Sequence, residues 1–87
     1  MVFMSSANDV IRSRITELTN RKFEIEHEIH HTLEEIIRAK DNTMMIKYLK
    51  DRLEIDKKKI AKLNPILEQN QSLLMSLDDE YKYQLEN

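Results

Sequence analysis

The sequence predicts an all-α protein, an antiparallel helical hairpin that dimerises into a four-helix bundle or coiled coil. Three observations carry this expectation. The 87 residues contain no glycine and one proline, so the positive-φ turns that tight β-hairpins use are nearly excluded. Apolar residues recur at alternating spacings of three and four, the period of a helix-helix seam. Blocks of opposite charge lie where they meet if the chain folds back on itself.

Residues 1–7 read as a short flexible start, and the remainder, 8–87, as one helical-hairpin domain. Ser5, Ser6, Asn8 and Asp9 are all suitable helix N-caps. A first helix is expected over about 8–40. In its heptad, Ile15, Lys22, Ile29 and Ile36 occupy a, while Ile11, Leu18, Ile25 and Thr32 occupy d. A second stripe of Phe23, Leu33 and Ile37 runs beside the seam and widens the apolar face. A face of that width suits a bundle better than a two-stranded rod.

The pattern breaks at Ala39-Lys40-Asp41-Asn42-Thr43, where Asp41, Asn42 or Thr43 can cap a new helix. Met44 and Met45 are expected to fill gaps near this turn. A second helix is expected over about 43–86, in a reset register. Ile46, Leu53, Ile60, Leu67, Leu74 and Tyr81 take a, while Leu49, Asp56, Leu63, Asn70, Leu77 and Gln84 take d. Pro65 interrupts this run without shifting its register, which predicts a kink near residues 61–65, or else a third helix that starts at the proline. Lys22, Asp56 and Asn70 place polar groups in the seam, as register-fixing residues or where the seam faces water.

The same periods fit a continuous rod of about 115 Å, and charge discriminates between the two. From Glu24 to Glu35 there are five acids and no Lys or Arg, whereas Lys47 to Lys62 holds seven bases against three acids. Folding at 41–43 sets residues whose numbers sum to about 85 opposite one another, acidic block along basic block. A parallel in-register rod sets acid against acid instead. The hairpin is favoured on that ground, with Leu77, Tyr81, Tyr83 and Leu85 expected to overhang the first helix.

Composition narrows the function. Charged residues make up 34% of the chain, yet the net charge is only −2, so no strong overall field attracts nucleic acid or acidic membrane. The absence of cysteine removes thiol catalysis and thiolate metal sites. Met1-Val2-Phe3-Met4 is too short for a signal-peptide core, and no stretch reaches the ~20 apolar residues of a membrane span. An intracellular, soluble protein, cytoplasmic or nuclear, is the expectation.

Two patterns imitate catalytic chemistry. His27-Glu28-Ile29-His30-His31 matches H-E-x-x-H, in which two histidines one helical turn apart hold zinc and the glutamate acts as base. In this heptad His27 and His31 fall on the solvent side, and no sheet is available to wall a catalytic cleft. Glu24-x-x-His27 and Glu28-x-x-His31 match a di-iron spacing, but they too point away from the seam. No catalytic residue, metal or cofactor is therefore assigned. His30, in line with Phe23 and Ile37, reads as a rim residue that becomes pH-sensitive if a partner covers it.

The expected function is a non-enzymatic interaction module, an adaptor or structural subunit that self-associates or joins other helical proteins. Its interface is expected from Ile11, Ile15, Leu18, Phe23, Ile25, Ile29, Leu33, Ile36 and Ile37 in the first helix. The second contributes Ile46, Leu49, Leu53, Ile60, Leu63, Leu67, Leu74, Leu77 and Tyr81. The alternative is a helical nucleic-acid-binding regulator using Lys47, Lys50, Lys57, Lys58, Lys59 and Lys62.

Overall fold

The computed structural model describes the backbone from residue 2 to 86 and the side chains from residue 7 to 78. Two helices account for nearly all of it, α1 over Val2–Ala39 and α2 over Thr43–Glu86. They lie antiparallel in a shape 68 Å long and 18 by 15 Å across. A 44-residue helix spans about 66 Å, so the length is that of one helix with the other folded beside it. That dimension rules out the rod.

The turn is built without glycine. Arg38 lies in the last turn of α1, where its positive charge complements the carbonyl end of the helix. Lys40 adopts the left-handed conformation at φ 51°, the position where helices usually place glycine. The Asn42 amide donates to the Ala39 carbonyl at 3.0 Å, which closes α1. Asn42 also opens α2. Its side-chain Oδ1 accepts from the Met45 amide at 3.1 Å, and its carbonyl accepts from the Ile46 amide at 3.0 Å. Among the three residues the sequence offered as caps, Asn42 is the one that acts.

The core is a narrow seam. Ile25, Leu49, Leu53, Leu63 and Leu67 are buried, and all five are a or d residues. Ile11, Ile15, Leu18, Ile29, Ile36, Ile46, Ile60, Leu74 and Leu77 flank them half-buried. Two polar residues are buried with them, Thr32 and Asp56. Thr32 satisfies its hydroxyl by donating to the Glu28 carbonyl at 2.9 Å, one turn back. Asn70 is half-buried and donates in the same way to the Ile66 carbonyl at 2.7 Å. Lys22 is half-buried and reaches Glu26 at 3.9 Å.

Charge aligns the two helices across the seam. Arg52 Nη2 donates to Glu28 Oε1 at 2.6 Å. At the far end, Asn8 Nδ2 donates to Asp78 Oδ1 at 3.3 Å and Arg12 Nη2 to Asp78 Oδ2 at 3.5 Å. These pairs link the acidic part of α1 to the basic part of α2 and the basic start of α1 to the acidic part of α2.

Three expectations change. Helical backbone starts at Val2, not near residue 8, because nothing in the first residues forces a stop. Asn8 and Arg12 reach Asp78, so α1 runs beside the end of α2 and Leu77, half-buried, does not overhang; the side chains of Tyr81, Tyr83, Gln84 and Leu85 lie outside the described residues. Met44 and Met45 do not fill the turn but stand exposed, because Asn42 starts the helix with both on its outer faces. The single second helix expected through the proline holds, since α2 continues through Pro65. Pro65 and Ala61 are both exposed, so the Ala61 carbonyl that loses its amide donor meets water.

Candidate interaction surface

A two-helix hairpin has two broad faces, one on each side of its seam. Heptad geometry puts the g and c positions of both helices on one face and the e and b positions on the other. The Arg52–Glu28 pair joins g to g and marks the first face; the Arg12–Asp78 pair joins e to e and marks the second.

On the e/b face, α1 carries the stripe the sequence singled out. Phe23 is 72% exposed and Ile37 77%, with Leu33 also exposed between them. His30 lies in line with them, exposed, its Nε2 3.1 Å from Glu34. Alongside, α2 presents Lys47, Lys50 and Lys57, all exposed.

The g/c face has the opposite division. Here the apolar stripe belongs to α2: Tyr48 at 61% exposure, Ile55 at 55%, then Ile66 and Leu73. On α2, sequence reasoning followed only the a and d positions and passed over this stripe. The signal was available, since Tyr48 and Ile55 are seven apart, as are Ile66 and Leu73. On α1 the same face is charged, with Arg14 and Arg21 followed by Glu24, Glu28 and Glu35. Arg52 sits between the helices, its positive form favoured first by the bond to Glu28 and further by Tyr48 and Glu35 nearby. In return, Arg52 holds the Glu28 carboxyl below its ordinary range.

Two adjoining grooves run along this face. One, of about 360 Å³, is floored by Leu18, Ile25, Leu63 and Ile66 and rimmed by Arg14, Arg21, Lys59 and Lys62. The next, of about 530 Å³, shares Arg21, Ile25 and Lys59 and adds Glu17, Glu24 and Glu28. Along α1 the face thus turns from basic to acidic, while α2 sets Lys59 and Arg52 beside the acidic part.

The expected lysine patch is divided by the helix. Lys50 and Lys57 stand on the e/b face beside Lys47, Lys59 and Lys62 line the groove on the g/c face, and Lys58 points outward between them. The basic cluster that forms in three dimensions draws Arg14 and Arg21 from α1, which reading the stretch 47–62 alone missed.

The histidines form local pairs. His31 Nε2 is 2.9 Å from Glu35 Oε1, one turn away on the same helix, and His27 is exposed. Among the described residues, no three His, Asp or Glu side chains converge as a metal site would need. Among the described residues, no helix is long and apolar enough to cross a membrane.

The chain matches no protein-family model, no curated protein and no solved structure, so similarity carries no function to it.

Proposed function

We propose that this chain is a non-enzymatic helical interaction module, an adaptor or structural subunit that self-associates or packs against other helices. One observation supports this most directly. The hairpin buries only a narrow seam and leaves an ordered apolar stripe exposed on each helix, Phe23, Leu33 and Ile37 on α1 and Tyr48, Ile55, Ile66 and Leu73 on α2. Isolated exposed apolar residues are ordinary, but stripes at helical spacing are what a further helix packs against. Small helical domains have little core of their own, and burial at about 25 cal/mol per Å² makes association their main added stabiliser.

The test is sedimentation equilibrium over a hundred-fold concentration range, followed by circular dichroism. The proposal expects a helical oligomer whose melting temperature rises with concentration. A stable, fully folded monomer that captures no helical partner would overturn it.

A second reading rests on the Arg14, Arg21, Lys59 and Lys62 cluster, a patch fit for polyanions. It expects salt-sensitive nucleic-acid binding that Lys59→Glu with Lys62→Glu abolishes. Absence of binding at low salt would remove it.

A further inference from the structure

We infer that the g/c face is a self-complementary docking surface for a second copy of the chain, with α1 antiparallel to α1 and α2 antiparallel to α2. This rests on the self-association reading above and specifies its surface and geometry.

A two-fold interface requires that one surface match itself when inverted end for end. On α1, inversion about the point between residues 24 and 25 brings Arg14 opposite Glu35 and Arg21 opposite Glu28. On α2, inversion about the point between residues 60 and 61 brings Ile55 opposite Ile66 and Tyr48 opposite Leu73. Charge meets opposite charge on one helix, and apolar meets apolar on the other.

These two points need to lie at the same height for one axis to serve both helices. The fold places them so, because Ile25 lines the same groove as Lys59, Lys62 and Leu63. Each match also occurs twice in the dimer, once in each direction. Near the axis Lys59 meets Lys62 of the second copy, and Glu24, which shares a groove with Lys59, supplies countercharge there.

The e/b face lacks this property. Inverting its stripe sets Phe23 against Ile37 but places His30 on His30, and it gathers the Lys47, Lys50 and Lys57 side chains of both copies, six lysines, around Glu26 and Glu54. Like charges so placed disfavour that pairing.

Cross-linking tests the geometry directly, since the chain has no cysteine of its own. Ile55→Cys and Ile66→Cys chains are prepared separately and treated with a short bismaleimide. A mixture of the two is expected to give cross-linked dimer, and either chain alone very little. Charge exchange provides a second arm. Arg21→Glu and Glu28→Arg, each alone, are expected to raise the dimer dissociation constant roughly ten-fold or more, because each places like charges together twice. Mixing the two chains restores opposite charges at both positions and is expected to restore association, while circular dichroism verifies that each variant stays helical.

Equal cross-linking in the single-variant samples, or no recovery on mixing, would overturn the inference. Dimers that instead cross-link through Phe23→Cys and Ile37→Cys would overturn this face and leave self-association standing. A chain that stays monomeric at every concentration would overturn both.

Discussion

Replacing Asp56 by leucine is expected to stabilise the hairpin by about 2–4 kcal/mol. Asp56 occupies a d position and is only 2% exposed, yet its Oδ2 has no hydrogen-bond partner. Its other oxygen reaches Lys59 Nζ at 3.8 Å, a distance beyond a hydrogen bond, and that lysine is itself largely in water. Leaving a buried acceptor unsatisfied costs about 1–3 kcal/mol, more when it is charged. Burying a leucine in its place contributes about 1.5–3 kcal/mol, and the loss of the weak lysine contact offsets at most about 1 kcal/mol. For a domain of this size the gain corresponds to a rise of roughly 10–25 °C in melting temperature. The assay is thermal unfolding followed at 222 nm, with wild type and variant at the same protein concentration, because association would shift both. A fall in stability would refute the reasoning, since it would mean that the carboxylate has a partner worth more than a leucine.

Other perturbations test the backbone and the charge alignment. Lys40, at φ 51°, carries the cost of a left-handed non-glycine residue, so Lys40→Gly is expected to stabilise by about 1 kcal/mol in urea unfolding, and a loss would refute that. Pro65→Ala returns an amide donor to the Ala61 carbonyl within an uninterrupted helix, and a gain of about 1–3 kcal/mol in the same assay is expected; a loss would show that α2 depends on its proline. Glu28 has its carboxyl held low by Arg52, so its contribution is present above the ordinary carboxylate range and disappears as pH falls through the lowered value. Glu28→Gln is therefore expected to reduce stability near neutrality and to flatten the acid limb of a pH titration, and an unchanged limb would show that the pair adds nothing.

Several features were legible because they depend on local pattern. The lack of glycine and the break at 39–43 mark the turn, and the heptads contain every apolar residue that is buried among the described residues, Ile25, Leu49, Leu53, Leu63 and Leu67. Charge blocks identified the fold-back, which the Arg52–Glu28 and Arg12–Asp78 pairs realise. Where reasoning stopped short, the choice lay at helix ends, on which the heptad period carries no information. The start of α1 at Val2, the choice of Asn42 among three possible caps, and the exposure of Met44 and Met45 are all settled there.

The candidate surface shows the same division. Sequence alone determined which edge of each helix enters the seam and that Phe23, Leu33 and Ile37 lie beside it, because helical periodicity fixes angular position on a single helix, whereas the fold decided that Pro65 begins no third helix. Sequence did not determine which side chains of different helices share a face. That required the antiparallel pairing and its axial register, set by seam packing and cross-seam charge together. Only in the folded hairpin do Arg14 and Arg21 join Lys59 and Lys62 around one groove, where Ile25 stands beside Lys59 and Leu63. Periodicity is a property of one helix, whereas a surface built from two depends on where each stands along the other.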